Sequence, residues 1–409
     1  MRKFLCLFLV LSAAATVYGQ NDSYLFAWSG DDANKSNDFL AVIDADAKSP
    51  KYGQVLASVA VPGPGGMPHH TELEMPDGGL LLANAFDSGR TVLFDLNDAL
   101  HPKVVTSFGG FDGYMHPHTY VRLPNGNILA TFQYRGGDDP KSEGGGLVEF
   151  SERGQLVRAA SAMDPAAKNE LIRPYSLIVL PSVDRIVSTN TAMHDKDGSS
   201  RTVQVWQLSN LKLLKTIILP AGPKGYEQKY PGEPEVLADG KTVLVHTFAC
   251  GLYEMQDLQS DQVSARYLKT LDGEQCDVPV RIGHYWVAAQ SSVHAIVVYD
   301  IADLAQIREV SRVKFDDKQK PHWLSADEDG RRIVANSGEY GEHRLYILNF
   351  DPQTGTLQLD EKFRDPGADK AGVSMDGKTW PHGFKGDAYA HGTVFSRSAS
   401  VGNRPNPGS

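Results

Sequence analysis

Cysteine is scarce in this chain, with three residues among 409. Cys6 lies in an apolar stretch at the N-terminus, which leaves Cys250 and Cys276 for the folded protein. We predict that these two form a disulfide in an oxidising compartment, with two buried free thiols as the alternative. A thiolate metal ligand is disfavoured, because neither cysteine occupies the repeated positions described below.

Basic residues are also few: the 40 lysines and arginines are outnumbered by 50 acidic residues, and the formal net charge is −10. The sequence contains no run of lysines and arginines. Nucleic acids and anionic membrane surfaces both reward an excess of basic side chains. The composition therefore excludes a nucleic-acid partner and favours a small-molecule function.

Long apolar runs are missing beyond the N-terminus, so we predict no membrane span. Residues 1–19 begin with Arg2 and Lys3, continue with a short apolar stretch and end in small residues, which is typical of a cleaved signal peptide. We therefore predict that the protein is exported to a periplasm or secreted. The sequence also lacks the G-x-S-x-G and H-E-x-x-H motifs of common hydrolases and metalloproteases.

Helical patterns are nearly absent, whereas short runs of strand-forming residues with Asp-Gly or Asn-Gly turns recur roughly every 45 to 60 residues, the range of propeller blades. Six such sets lie between His70 and Phe350. We predict an all-β, seven-bladed β-propeller over residues 20–395, in which N- and C-terminal strands share the last blade and leave no open sheet edge. A β-sandwich is the alternative. Residues 396–409 have the composition of a flexible tail.

One short pattern occurs three times: a histidine, a few alternating residues, and a turn glycine. It starts at His70, His118 and His322. In a propeller, the first strand of each blade lines the central channel, so equivalent positions converge at one mouth. The predicted ring at this level consists of His70, His118, Tyr175, Glu233, Asp277, His322 and His382.

A ring of imidazoles suits copper, iron(II), zinc or nickel, whereas magnesium and calcium prefer oxygen ligands. We predict a metal site whose ligands are His70, His118 and His382, completed by His69 or His322. Strand alternation would point His69 away from His70. The acidic residues Glu72, Glu233 and Asp277 are candidates for orienting the imidazoles or moving protons, with Tyr175 as a hydrogen-bond donor. A lone histidine at a strand start is more often structural.

Residues 39–55, FLAVIDADAKSPKYGQV, followed by the His69-His70 pair, resemble the N-terminal segment of selenium-binding proteins, the family that includes methanethiol oxidases. His118-Thr119 and the late His382 are similar to other histidine positions of that family. The resemblance implies a seven-bladed propeller with a copper centre held by these histidines. It also implies oxidation of methanethiol by O₂ and water to formaldehyde, hydrogen sulfide and hydrogen peroxide. Residues 72–75 stand where the family has a cysteine-rich motif.

These observations lead to one main hypothesis and two alternatives. The main hypothesis is an exported copper protein that oxidises a small thiol with O₂. The first alternative is an iron(II) oxygenase or a metal-dependent lactonase on the same fold, and the second is a propeller that binds metal without catalysis. Fold alone does not distinguish them.

Overall fold

The computed structural model describes residues 23–137, 143–195 and 199–397. The predicted signal peptide, residues 1–19, lies outside the described residues, as does most of the predicted tail. Two tail residues are described and both make contacts. Ser396 exchanges hydrogen bonds with Tyr24, and Arg397 pairs with Glu328.

The described chain folds into antiparallel sheets arranged as seven blades, as predicted. Strands β1 to β3, which belong to the last blade, cover Tyr24–Asp31, Asn37–Asp44 and Val55–Pro64. Blade one contains β4 to β7, at Pro68–Thr71, Leu80–Ala85, Arg90–Asp95 and Lys103–Phe108. Blade two contains β8 to β11, at Tyr114–Arg122, Ile128–Arg135, Glu143–Phe150 and Leu156–Ser161. Blade three contains β12 to β15, at Pro174–Leu180, Arg185–Asn190, Thr202–Gln207 and Lys212–Ile218.

The remaining blades repeat the same order of strands. Blade four contains β16 to β19, at Pro231–Val236, Val243–Thr247, Gly251–Gln256 and Ser264–Thr270. Blade five contains β20 to β23, at Val280–Ile282, Tyr285–Gln290, Ala295–Asp300 and Arg308–Lys314. Blade six contains β24 to β27, at Trp323–Ala326, Arg332–Asn336, Arg344–Asp351 and Thr356–Leu359, with β28 added at Val373–Ser374. A small hairpin, β29 and β30, at Lys378–Thr379 and Lys385–Gly386, precedes the last strand, β31, at Ala388–Phe395.

The last blade closes the ring with strands from both ends of the chain. Its order is β3-β2-β1-β31, and Leu25 of β1 lies opposite Phe395 of β31. The C-terminal strand is therefore the innermost strand of a blade whose other strands are N-terminal. This arrangement confirms the predicted shared blade and leaves no unpaired edge between the first and last blades.

Hydrophobic packing follows the same ring. The middle strands are buried on both faces, as in Tyr285–Gln290, because each sheet is covered by a neighbouring blade on either side. The outermost strands are partly exposed. Seven buried apolar clusters are present in the described residues, each between two neighbouring blades, and one of them joins blade six to the last blade.

Helical structure is limited to single turns of 3₁₀ helix in the described part of the chain, at Pro165–Ala167, Pro181–Val183 and Ser291–Val293. Within those same residues, no helix has the length and apolar character needed to cross a bilayer.

Cys250 and Cys276 form a disulfide, which confirms the predicted pairing. Cys250 lies in the turn between β17 and β18, and Cys276 lies just before β20. The bond therefore ties blade four to the entry of blade five, inside the apolar cluster between these two blades.

Asp38 gives the fold a testable pH dependence. Its side chain is buried, and burial together with the nearby charges of Asp31 and Asp87 raises its pKa to about 7, against a lowering hydrogen bond from the Gly66 N–H. Because the folded state holds this proton more tightly than the unfolded state, the stability that the proton provides is lost as pH rises from about 4 through 7.

We expect Asp38→Asn to be more stabilising at pH 8 than at pH 5, by on the order of 2 kcal/mol, since the amide cannot ionise. Urea unfolding at the two pH values measures the difference. The exposed Asp329 provides a matched control, and Asp329→Asn should change the unfolding free energy by no more than about 0.5 kcal/mol at either pH. An equal effect of Asp38→Asn at both pH values would contradict this assignment.

Candidate metal centre

A β-bulge recurs near the start of the innermost strands. In blades one to four, the inner strand has one more residue between two successive paired positions than its neighbouring strand has. Each of these irregular stretches begins at a proline: Pro68, Pro117, Pro174 and Pro231. The extra residue turns side chains that simple alternation would separate toward the same side. The pairs inside the bulges are His69-His70, His118-Thr119, Tyr175-Ser176 and Gly232-Glu233.

The closing blade has the same irregularity. Ala390 of β31 pairs with Ser29 of β1, and Thr393 pairs with Ala27. Two residues, His391 and Gly392, therefore lie between these pairs on β31 where β1 has one, and they form the bulge. His391 is therefore the equivalent of His69 and His118 in the last blade. The sequence analysis placed His382 at this level in the last blade, and the structure places His391 there instead.

Three histidines converge at the bulges of blades one and two. His69, His70 and His118 each offer one ring nitrogen, and these nitrogens lie within 4.8 Å of one another. The rings of His69 and His70 are stacked with centroids 4.5 Å apart, and those of His70 and His118 are 4.2 Å apart. His69 therefore joins the cluster against the expectation from strand alternation, because the bulge places both histidines on one side.

Two further histidines extend this cluster. The His391 ring lies 4.1 Å from the His69 ring, between centroids. On its other side, His391 Nε2 is 3.2 Å from Nε2 of His322, which stands just before β24. All five histidines are buried. The structure thus brings His69, His70, His118 and His322 together, as predicted, and adds His391.

His382 is not brought to this cluster, which corrects the predicted ligand set. It lies in the turn of the hairpin β29–β30, before the inner strand begins. Its Nδ1 is 2.7 Å from the Ser58 hydroxyl, and its ring packs 4.7 Å from Phe39. The sequence placed the inner strand too early. The signal that was missed is the alternating run Ala388–Phe395, which pairs with β1.

Carboxylates and one tyrosine surround the histidines. Asp277 accepts from His322 Nδ1 at 3.0 Å, and Glu339, which was not predicted, contacts His391 Nδ1 at 3.0 Å. The Tyr175 hydroxyl is 3.4 Å from His70 Nε2, and its ring lies 3.9 Å from that of His118. Glu233 Oε2 is 2.9 Å from His246 Nε2.

Glu72 is occupied elsewhere, although it was predicted to move protons. One carboxylate oxygen accepts from Arg122 Nε at 2.6 Å, and the other accepts from the Leu82 N–H at 2.9 Å. Burial raises the pKa of Glu72, and the pairing with Arg122 opposes that rise. Both oxygens are engaged in holding strands together, so we assign Glu72 a structural role.

The electrostatics keep the central imidazoles neutral. Burial lowers the pKa of His69, His70 and His118 well below the usual histidine value, and neighbouring histidines lower it further for His69. Burial also raises the pKa of Tyr175 well above its usual value, with an added contribution from the charge of Glu233. Burial alone would lower the pKa of His322, but the Asp277 carboxylate raises it overall.

Neutral imidazoles with free nitrogens are metal ligands. Within the described residues, His69 Nδ1 and His118 Nε2 are buried and have no hydrogen-bond partner. A buried polar atom without a partner is costly, and a bound cation would satisfy both nitrogens. The residues present therefore fit a transition metal. Among the described side chains, this is the one group of three or more histidine, cysteine or carboxylate residues whose ligand atoms lie close enough together to hold one ion.

A cavity of about 940 Å³ lies along the downstream ends of the inner strands. It reaches Thr119 and Ser176, which directly follow His118 and Tyr175. A small molecule in this mouth would therefore lie next to the residues that follow His118 and Tyr175.

No family model matches this chain. A methanethiol oxidase from Hyphomicrobium sp is 28% identical to it over 231 residues, which are 51% of either chain. The structure of a hypothetical selenium-binding protein from Sulfolobus tokodaii superimposes with a TM-score of 0.71 at 16% identity, covering 94% of this chain and 96% of that one. The chain is thus similar to the selenium-binding protein and methanethiol oxidase family, in sequence over about half of its length and in fold over nearly all of it.

The sequence similarity covers only part of the two proteins. The match spans about half of the length of the methanethiol oxidase. Other propellers superimpose as well, such as a periplasmic gluconolactonase from Pseudomonas aeruginosa, with a TM-score of 0.61, 13% identity, and coverage of 92% of this chain and 99% of that one. At such low identity, these structural likenesses concern the fold alone.

Proposed function

We propose that this protein is an exported, copper-dependent oxidase that acts on a small thiol, such as methanethiol, with O₂. The observation that carries the proposal is the buried group His69, His70 and His118, which offers one ring nitrogen from each residue within 4.8 Å of one another. His69 Nδ1 and His118 Nε2 have no hydrogen-bond partner among the described residues. The methanethiol oxidase relative supports the oxidoreductase class and the thiol substrate.

The donor set favours copper, with iron(II) as the alternative. Three imidazole nitrogens suit both metals, whereas calcium needs a shell of oxygen ligands. The lactonase hypothesis with calcium is therefore less well supported, because the nearest donors are nitrogens. His69, His70 and His118 would hold the ion, and the ion would supply the redox chemistry that passes electrons from the thiol to O₂.

The chain's own residues would handle the proton that the thiol releases. The Tyr175 hydroxyl is 3.4 Å from His70 Nε2, and burial together with the charge of Glu233 raises its pKa, so it stays protonated. In our proposal Tyr175 donates a hydrogen bond at the site, and Glu233, a buried carboxylate whose Oε1 has no hydrogen-bond partner among the described residues, is the general base for the thiol proton. Asp277 holds His322 in place and is a positioning residue.

Export rests on two separate observations. Residues 1–19 have the three-part composition of a signal peptide, and the remaining two cysteines are joined in a disulfide. Structural disulfides persist in oxidising compartments, so a periplasmic or secreted location is consistent with both.

The test is a copper count and a turnover assay on the same preparation. Protein loaded with copper and desalted should contain copper by inductively coupled plasma mass spectrometry. It should also consume O₂ when methanethiol is added, with release of formaldehyde, sulfide and peroxide. Absence of metal after loading with copper or iron would overturn the metal centre. Bound copper without turnover of methanethiol or other small thiols would contradict the oxidase and favour the non-catalytic metal-binding alternative.

A further inference from the structure

The bulges of blades two, three and four are held by the same kind of hydrogen bond. In each bulge, the main-chain N–H of the second residue donates to the side chain that lies opposite it on the neighbouring strand. In blades two and three the acceptors are the hydroxyls of Thr131 and Thr189, at 3.1 and 3.2 Å. In blade four the N–H of Glu233 donates instead to Nε2 of His246, at 3.0 Å. Because a threonine makes this bond in two blades, the bond alone does not require an imidazole in the third.

A glycine makes room for the larger side chain in blade four. Gly232 is the first residue of its bulge, the position that His118 and Tyr175 occupy in blades two and three. A β-carbon at Gly232 would lie 2.3 Å from His246 Nε2 and 2.5 Å from its Cε1. The buried imidazole of His246 therefore occupies space that an alanine at position 232 would close.

The same imidazole nitrogen reaches the carboxyl group of Glu233. Glu233 Oε2 is 2.9 Å from His246 Nε2, and both side chains are buried. Glu233 Oε1 is also buried and has no hydrogen-bond partner among the described residues. His246 therefore engages one oxygen of the carboxyl group and leaves the lone pairs of the other available.

We propose that His246 is a positioning residue for Glu233, and that it holds the carboxyl group so that Oε1 takes the proton of the thiol. This inference rests on the thiol oxidation proposed above. In the proton transfer the S–H bond breaks, the proton bonds to Oε1, and the electron pair stays on sulfur. The His246 ring packs against Phe248 and Trp286, with centroids 5.6 and 6.1 Å away, and it is not one of the three converging histidines. It therefore acts through Glu233.

The first experiment compares variants of the copper-loaded protein. His246→Thr introduces the side chain that blades two and three use, so it can keep the bulge bond but loses the contact with Oε2. Its kcat for methanethiol should fall about 10-fold or more, with KM and copper content unchanged, since a positioned general base contributes about 100-fold or more and acts in the transition state. His246→Gln should recover most of this loss, because its amide oxygen can accept the main-chain N–H while its amide N–H donates to Oε2. His101→Ala, at an exposed histidine, should match the wild type.

The second experiment asks whether His246 acts through Glu233, with a readout that needs neither copper nor turnover. In the Glu233→Ala background, His246→Thr should cause no further loss of kcat, because the residue that it positions is already gone. Urea unfolding of the metal-free wild type, the two single variants and the double variant should show a coupling of about 10-fold in the unfolding equilibrium constant. A buried hydrogen bond to a charged group contributes about that much.

Gly232→Ala is the second variant if His246→Thr fails to fold. The added β-carbon should displace the imidazole and lower kcat in the same way, without a change in copper content. An unchanged kcat in His246→Thr, in a protein that oxidises methanethiol, would overturn the positioning role and leave the proposed function standing. Absence of coupling in the unfolding cycle would overturn the contact itself. A wild type that oxidises no thiol would contradict the proposed function and the catalytic role of His246 with it, and any coupling would then mark a purely structural contact.

Discussion

His118→Ala is expected to lose thiol-dependent O₂ uptake and most of its bound copper. His118 is one of three residues whose ring nitrogens converge. Its Nε2 has no hydrogen-bond partner among the described residues, so it is available to bind a metal. Loss of a partner outside the ligand shell already costs about 10- to 100-fold in metal affinity or activity, so loss of a ligand should cost at least that much. O₂ electrode traces and copper counts measure the two effects.

His382→Ala is the matched control for this prediction. It removes a histidine that sequence reasoning placed in the metal site and that the structure places against Ser58 and Phe39. This variant should keep its copper and its turnover. Copper loss from His382→Ala with retention in His118→Ala would show that the metal lies elsewhere and would contradict the site described above.

Removal of the disulfide should have the largest effect on stability. The Cys250–Cys276 bond spans a sequence separation of 26 residues. Closing a loop of that length lowers the entropy of the unfolded chain enough to stabilise the fold by about 3.5 kcal/mol in the chain-entropy account. Both cysteines are also buried in the cluster between blades four and five, so Cys250→Ala/Cys276→Ala loses packing as well. Urea unfolding of wild type and variant measures the difference.

Chemical reduction of the Cys250–Cys276 bond provides the control for this prediction. Dithiothreitol should destabilise the wild type by a similar amount and leave Cys250→Ala/Cys276→Ala unchanged, because the variant has no bond to break. A single cysteine variant should behave like the double variant, apart from its free thiol. If the oxidised wild type and the double variant unfold at the same urea concentration, the bond contributes nothing to folding stability and this prediction is wrong.

The fold could be predicted from the chain because its signals are local. Runs such as Leu80–Ala85 and Tyr285–Gln290, separated by turns, specify strands, and their spacing specifies blades. The pairing of β1 with β31 was also foreseeable, since a propeller with open edges would expose unpaired backbone groups. The disulfide followed from cysteine arithmetic together with the signal peptide.

The site could be predicted only in part. His70, His118 and His322 share a spacing to the turn glycine in the sequence repeat, which predicted their convergence. The bulges make His69, rather than His70, the structural equivalent of His118. His391 was missed because the last blade does not contain the turn glycine pattern that marks the others, and His382 sits beside a tryptophan and a proline that resemble a strand start. Glu339 was missed because it lies in the loop after β25, far from any repeated position.

The sequence by itself determined the strand periods, the number of blades, the cysteine pairing and the residue types available to the central ring. Only the tertiary structure decided which side chains meet. A bulge depends on how two strands pair, and a one-residue change in pairing turns side chains to a different side. That pairing places His69 beside His70, brings His391 to His322, and leaves His382 outside, because hydrogen bonds between distant strands, rather than local residue preferences, set the register.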